Sequence, residues 1–208
     1  MGNLPGLYLD AVNPDYAAVQ VLFPRENQEK WMVSWPWLTQ IYHGNINILL
    51  TLAVVFVTRT TSVLQHHILY SVLCIACIIL LYRLMTLREI GISKNIAAGV
   101  VLITAAMPSV LTLVITQYYM ELFGTACILG GTIRFFQWKG NPEKRLWIIV
   151  SYLLFGLAFY SYFNFVFFLP FLAAGTVLRL RKVERRQGGL LIQCGVCYLM
   201  GCSFYWVY

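Results

Sequence analysis

Charged side chains are scarce in this chain of 208 residues. They make up 11% of it, and only 8 are acidic, whereas about a quarter of the residues in a soluble domain are charged. Hydrophobic residues make up 60%, and the mean hydropathy is +0.71. This composition argues strongly against an ordinary soluble domain. Because long apolar runs recur along the chain, it predicts a polytopic helical membrane protein.

Sequence signals for secretion, metal binding and redox chemistry are also weak or missing. Residues 1–20 lack a basic segment followed by an apolar one, so they do not resemble a cleavable signal peptide. The 6 cysteines include two CxxC pairs, but each pair lies in an apolar run without polar neighbours, where Cys behaves as a small hydrophobe. We predict neither a metal nor a disulfide from them. The glycine-containing stretch LGGT (129–132) resembles no phosphate loop and predicts close helix packing.

The apolar segments that are present begin after residue 44. A membrane span needs about 20 residues, so the first segment is short and the second is long enough to cross. Pro108 interrupts the third, and the short YSYFN stretch makes the fifth and sixth a tight helical hairpin. We therefore predict an all-α transmembrane bundle over 45–208, after a separate region over 1–44. The predicted segments are 45–57, 62–82, 95–115, 118–133, 146–161, 163–178 and 189–208.

Basic residues are concentrated in every second connection between these segments. The connections 83–94, 134–145 and 179–186 hold twelve of the 15 basic residues. The positive-inside rule places these connections in the cytoplasm, so residues 1–60 lie outside and the protein is expected in the plasma membrane. Topology accounts for the positive charge, and we predict no nucleic-acid partner.

The outer region over 1–44 has the pattern of a surface platform. Apolar residues in 15–23 have helical spacing, and 29–44 is rich in Trp and Tyr, which favour the membrane interface. Two interfacial helices there would hold Asp10 and Asp15 near a cavity. A carboxylate at this level suits a general base, although Asp15 also fits a helix start.

Further candidate residues lie on the same side of the membrane. A phosphate leaving group needs cationic stabilisation. A carboxylate at the start of the fourth segment is a functional-site hypothesis by default, and a neighbouring glutamine would support it. A single histidine without a second ligand is a weak metal signal, so no cofactor is predicted and a divalent metal is left open. The residues in question are Arg25, Lys30, His43 and Arg59 for the phosphate, Gln117 and Glu121 at the fourth segment, and His43 for the metal.

The order of these features resembles the N-terminal half of membrane glycosyltransferases of the GT-C superfamily. The likeness is closest to the family 39 and aminoarabinose-transferase-like branch. It covers most of the chain and is carried by GLYLDAVNPDYAAVQVLFP (6–24), WPWLTQIYHGNI (35–46) and TTSVLQHHILYSVLCIACIILLYRLM (60–85), continued by MPSVLTLVITQYYMELFG (107–124) and GLAFYSYFNFVFFLPFLAAG (156–175).

The resemblance implies transfer of a sugar from a polyprenyl-phosphate donor to an acceptor at the extracytoplasmic face, with inversion. The donor and membrane lipid are the implied partners, and the acceptor is left unnamed. The family's first outer loop often carries an Asp-Glu pair, in place of which this sequence has Asp10 and then Asp15-Tyr16. We favour Asp10 as the base, with Asp15 or Glu121 assisting. Because the family has a helix before this loop and more after it, we expect a fragment.

Two alternatives from other classes stay open. Transporters and channels place ionisable groups or broken helices near mid-membrane, whereas the acidic residues here are expected at the outer edge. That expectation disfavours transport. The other alternative is a non-catalytic membrane scaffold.

Overall fold

The computed structural model describes Leu22 and residues 46–59, 63–107, 119–182 and 188–203. Over these residues the chain forms helices and no strand, so the predicted all-α class is confirmed for this part of the chain. Apart from Leu22, the predicted platform over 1–44 lies outside the described residues.

The helices follow the predicted apolar segments. A 3₁₀ helix, Phe163–Phe168, joins the fifth helix to the sixth, which confirms that these two segments follow one another with only a short break. The α-helices in the described ranges are α1 Ile46–Thr58, α2 Val63–Met85, α3 Lys94–Ala106, α4 Tyr119–Gly140, α5 Arg145–Ser161, α6 Leu169–Lys182 and α7 Gly188–Gly201.

The ends of α3 and α5 follow from local sequence. Ser93 is the N-cap of α3, and its hydroxyl accepts a hydrogen bond from the Ile96 N–H at 3.4 Å. Met107 is extended and ends α3, as expected for the residue before a proline. Tyr162, with φ −154°, ends α5. The breaks in the helical pattern were therefore readable from the sequence.

The fourth helix is longer than predicted. The expected segment 118–133 is followed by seven further helical residues, since α4 ends at Gly140. Arg134 and Lys139 therefore lie on the helix and not in a loop, and the connection to α5 is only 141–144. Basic side chains are favoured near a helix C-terminus, and their long stems cover apolar surface. A hydropathy criterion therefore places the end of such a helix too early in the sequence.

The packing places α4 between two groups of helices. It packs on α2 on one side and on α5 on the other, while α5 also packs on α7, α3 packs on α2, and α1 packs on α4. Two buried clusters result. The first cluster, from α4 to α7, comprises Cys127, Ile128, Trp138, Ile148, Tyr152, Phe155, Ala158, Leu172, Leu180, Leu190 and Cys194. The second cluster, between α2 and α4, comprises Tyr70, Cys74, Cys77 and Leu122.

Glycines bring the helix backbones of the first cluster into direct contact. A Cβ atom on Gly156 would collide with the Tyr198 carbonyl oxygen of α7 and lie 3.0 Å from the Gly201 Cα. Between α4 and α5, a Cβ on Gly131 would lie 2.7 Å from the Phe155 ring. Small residues at helix crossings are typical of membrane helices. The close packing predicted for LGGT is thus confirmed at Gly131.

Contacts between helices establish their directions. The Ser151 hydroxyl of α5 donates to the Gly131 carbonyl of α4 at 2.8 Å, and the α4 residue Gly124 faces the Phe165 ring beyond α5. These two contacts make α5 antiparallel to α4. The Tyr152 hydroxyl of α5 donates to Thr176 Oγ1 of α6 at 3.1 Å, across the predicted hairpin. Hence α6 runs parallel to α4.

The basic connections gather at one end of the bundle, which we call the basic end. The side chain of Glu89, in the connection after α2, lies against Gly140 at the C-terminus of α4. Because α6 runs parallel to α4, Arg179 and Arg181 near its C-terminus lie toward the same end. The described basic residues of the three connections therefore lie at the same end of the bundle.

Much apolar surface faces outward. Within the described ranges, two stretches, Ile68–Met85 and Phe163–Arg181, are long and apolar enough to cross a membrane by length and composition. Only 11% of the first and 17% of the second are buried inside the bundle, whereas the core helix of a soluble protein would be mostly buried. Phe171, with 78% of its surface exposed, and Leu102, with 69%, illustrate the outward apolar faces.

Candidate functional site

Only part of the predicted site belongs to the described ranges. Arg59 and Glu121 are described, and their surroundings can be compared with expectation. The predicted residues outside the described ranges are Asp10, Asp15, Arg25, Lys30, His43 and Gln117.

Glu121 occupies the first turn of α4, at the end of that helix away from the basic end. A helix N-terminus favours a carboxylate. The side chain is half-buried, whereas the other described carboxylates, Glu89 and Glu143, are exposed in connections at the basic end. Among the described carboxylates, Glu121 alone lies within a helix of the bundle. This position matches the hypothesis of a functional carboxylate at the start of the fourth segment.

Glu121 lies at one level relative to the α5–α6 hairpin, on one side of α4, and at another level relative to α2, on the other side. Gly124 faces the Phe165 ring, so Glu121 lies about one turn beyond it, toward the tip of the α5–α6 hairpin. On the other side, the Cys77 thiol of α2 donates to the Leu122 carbonyl at 3.2 Å. From Cys77, α2 continues toward its N-terminus for roughly 20 Å, at 1.5 Å per residue. Glu121 is thus near the end of the hairpin but beside the middle of α2.

Two buried hydroxyl residues that the sequence analysis did not single out, Tyr70 and Thr51, lie in or next to the second cluster. That cluster also contains Leu122, the residue after Glu121. Tyr70 of α2 is fully buried within the cluster. Thr51 of α1 follows Leu50, which packs against it, and is 1% exposed. The Thr51 hydroxyl finds no hydrogen-bond partner among the described residues. Their signal in the sequence was a hydroxyl residue within an apolar run, Thr51 in NINILLTLAVVFV and Tyr70, followed by Ser71, in HHILYSVLC.

Arg59 turns back onto its own helix. Its backbone adopts φ 57°, the left-handed conformation that ends many helices, and its N–H donates to the Val55 carbonyl at 2.8 Å. The guanidinium carbon lies 5.0 Å from the centroid of the Phe56 ring. No ion pair joins Arg59 to Glu121 within the described ranges. The two predicted residues that can be compared are therefore not joined by an ion pair, and the Arg59 guanidinium contacts Phe56.

A separate apolar groove of about 420 Å³ opens on the flank of the bundle between α2, α4 and α6. Its lining includes Leu84, Leu129, Phe136 and Phe171. Its one hydroxyl, that of Thr132, already donates to the Ile128 carbonyl of its own helix at 2.7 Å. The groove thus offers no free polar group of its own and suits an apolar chain.

The described residues include no group of three or more His, Cys, Asp or Glu side chains that could hold a metal ion. All six cysteines are free, and all except Cys197 are buried. His43, the residue suggested for a metal, lies outside the described ranges, so a divalent metal there stays a hypothesis.

Comparison with known proteins identifies no relative. No family model, no curated protein and no solved structure matches this chain. The resemblance to GT-C glycosyltransferases therefore depends on the sequence motifs alone and stays a prediction.

Proposed function

We propose that this protein is a polytopic membrane glycosyltransferase that moves a sugar from a polyprenyl-phosphate donor to an acceptor at the extracytoplasmic face. The observation that carries the proposal is the half-buried carboxylate of Glu121 at the end of α4 away from the basic end. A carboxylate in apolar surroundings is costly to keep there and commonly marks a functional site. The motif resemblance supplies the reaction class.

The proposed membrane placement is supported by charge and by exposure. The basic end would face the cytoplasm, and the outward apolar side chains of the bundle would face lipid. Glu121 and the hairpin tip would then lie toward the extracytoplasmic side. An integral protein of the plasma membrane would meet a polyprenyl-phosphate donor from within the bilayer.

In the proposed reaction, Asp10 removes the proton of an acceptor hydroxyl as it attacks the anomeric carbon. A bond forms between that oxygen and the anomeric carbon, and the bond to the donor phosphate breaks with inversion. The leaving phosphate carries the electron pair and is stabilised by cations. Asp15 or Glu121 would assist by orienting the acceptor. The cations proposed for the phosphate are Arg25, Lys30, His43 and Arg59.

The test uses transfer of labelled sugar from a polyprenyl-phosphate donor by membranes containing the complete protein. Because general-base catalysis contributes about 10²–10⁴-fold to rate, Asp10→Asn should lower the transfer rate at least 100-fold. Glu121→Gln should lower it less, and Glu89→Gln, at the basic end, should leave it unchanged. Full activity in both Asp10→Asn and Asp15→Asn would remove the catalytic role assigned to this region.

A transporter is the second candidate, favoured by the position of Glu121 beside the middle of α2. If Ile68–Met85 spans the membrane, its centre is near Cys77, whose thiol bonds to Leu122. An ionisable group at that depth is typical of ion and proton pathways. Proton uptake into vesicles that is lost in Glu121→Gln but retained in Asp10→Asn would favour the transporter over the glycosyltransferase.

A further inference from the structure

The apolar groove on the flank of the bundle is accessible from outside the protein. Two of its lining residues on the α5–α6 hairpin have large exposed fractions, 78% for Phe171 and 45% for Phe168. The lining is apolar apart from Thr132, whose hydroxyl already donates within α4. Because apolar surface is the main contact that the groove offers, the part of a ligand that fits is an apolar chain.

The size of the groove suits one such chain. Its volume of about 420 Å³ is near the lower end of the usual range for ligand cavities. The walls come from three helices, with Leu84 on α2, Phe136 on α4 and Phe171 on α6. A single alkyl chain would touch all three walls, and a second chain of the same ligand would remain outside.

An exposed cation lies at the basic end of this groove. Lys139 follows the lining residues Phe135 and Phe136 by four and three residues on α4, so it lies on the same helix face, one turn nearer the basic end. Helical side chains lean back toward the N-terminus, which here is toward the groove. Accordingly, the Lys139 ammonium lies 5.5 Å from the centroid of the Phe136 ring. A positive charge that solvent can reach therefore borders the groove directly.

The neighbouring charges do not cancel that of Lys139. Arg83, exposed on the last turn of α2, precedes the lining residue Leu84. Glu89 is the described carboxylate on this side, and it lies against Gly140. Positive charge stays in excess, so a negative group on the ligand would be attracted here. That group would remain hydrated, because the side chains it meets are exposed, and would avoid the cost of burying a charge.

We propose that this groove binds one long-chain fatty acid, with its alkyl chain along the lining and its carboxylate at the Lys139 ammonium. The ligand class follows from one apolar chain for the groove and one anionic group for the exposed cation at its end. A phospholipid has both features but carries a second chain that the groove does not hold. The site uses none of the residues assigned to sugar transfer and goes beyond the proposed function.

Competition binding to the complete purified protein tests the site. Labelled palmitate is bound in a scintillation proximity assay and displaced by unlabelled palmitate or by hexadecanol, which has the same chain without the charge. We expect palmitate to compete about five-fold better than hexadecanol, since an exposed ion pair contributes up to about that factor in affinity.

A pair of lysine variants tests the charged end. Lys139→Gln should remove the advantage of palmitate over hexadecanol and leave hexadecanol binding unchanged. Lys144→Gln is the matched control. The Lys144 ammonium also lies over an aromatic ring, 4.4 Å from the centroid of Trp147, but Trp147 is not part of the groove lining. That variant should keep the advantage of palmitate.

A pair of phenylalanine variants tests the apolar part. Phe171→Ala removes an exposed wall of the groove and should weaken binding of both ligands about five-fold. Phe167→Ala, 67% exposed on the same hairpin and outside the groove lining, should leave both unchanged. Gel filtration and helical circular dichroism establish folding. If Phe171→Ala does not fold, the comparison of Lys139→Gln with Lys144→Gln decides.

Several outcomes would overturn the fatty-acid site. These are equal competition by palmitate and hexadecanol, an equal effect of Lys139→Gln and Lys144→Gln, or unchanged binding in a folded Phe171→Ala. Competition by phosphatidylglycerol as strong as that by palmitate would assign the groove to a phospholipid instead. Sugar transfer should be unchanged in Lys139→Gln and Phe171→Ala, and its loss in both would assign the groove to the chain of the sugar donor. Absence of palmitate binding with intact sugar transfer contradicts only the fatty-acid site.

Discussion

The two buried clusters meet along α4 but are built differently. In the first cluster, glycines bring backbones together, and the buried hydroxyls of Ser151 and Tyr152 have partners on the neighbouring helices. In the second cluster, side chains fill the contact between α2 and α4, and the half-buried carboxylate of Glu121 lies next to it. Hydrogen bonds between helices and close backbone contacts suit a rigid scaffold. A partly buried charge suits a site that acts on something else.

The largest expected effect is on the free energy of unfolding when a methyl group is added at the tight contact between α5 and α7. Gly156→Ala should lower the free energy of unfolding by about 2–3 kcal/mol, because its Cβ meets the α7 backbone and overpacking is costly. The control is Gly195→Ala on α7, where a Cβ meets nothing within 4 Å. That variant should gain up to about 1 kcal/mol from helix propensity. Thermal unfolding in detergent measures both, and equal values would contradict the tight contact.

A smaller loss is expected from the buried hydroxyl of the first cluster. Ser151→Ala removes the hydrogen bond to the Gly131 carbonyl and should lower stability by about 0.5–1 kcal/mol. Thr104→Ala removes only a bond within α3, to the Val100 carbonyl, and should lower stability less. The comparison uses denaturant titration of both variants. A larger loss in Thr104→Ala would show that Ser151 adds nothing between helices.

Removing the charge beside the second cluster should, in contrast, not lower the free energy of unfolding. Glu121→Gln removes a charge from a half-buried position without an ion pair in the described ranges, so stability should stay equal or rise by up to about 1 kcal/mol. Glu89→Gln, at an exposed position, should change it little. The same denaturant titration applies. A clear loss of stability in Glu121→Gln would make that carboxylate a structural group and remove the contrast between the clusters.

The smallest effect is expected at the rim of the first cluster. The Lys144 ammonium lies 4.4 Å from the centroid of the Trp147 ring, and an exposed pair of this kind contributes about 0.5–1 kcal/mol. Lys144→Ala should therefore lower stability by about 0.5 kcal/mol, while Lys144→Arg should retain it. Equal losses in Lys144→Ala and Lys144→Arg would exclude a cation–π contribution.

The sequence predicted the scaffold better than the site. Apolar runs, Pro108 and the YSYFN break located the helices, because segment length and backbone restriction act locally. The end of α4 was missed because Arg134 and Lys139 lower the hydropathy of residues that are still helical. The burial of Thr51 and Tyr70 could not be predicted, since each looks like any hydroxyl in an apolar run. Their proximity to the second cluster depends on how α1, α2 and α4 pack.

The glycine contact between α5 and α7 has a consequence for how the protein is made. Synthesis runs from the N-terminus, so α4 and α5 can pair as neighbours while α6 and α7 are still to come. The face of α5 at Gly156 meets its partner only after α6 has folded back and α7 has appeared. A chain stopped before Leu190 would leave that face bare. The missing helix, supplied as a separate peptide, would then be expected to complete the fold, so the chain should tolerate being split between α6 and α7.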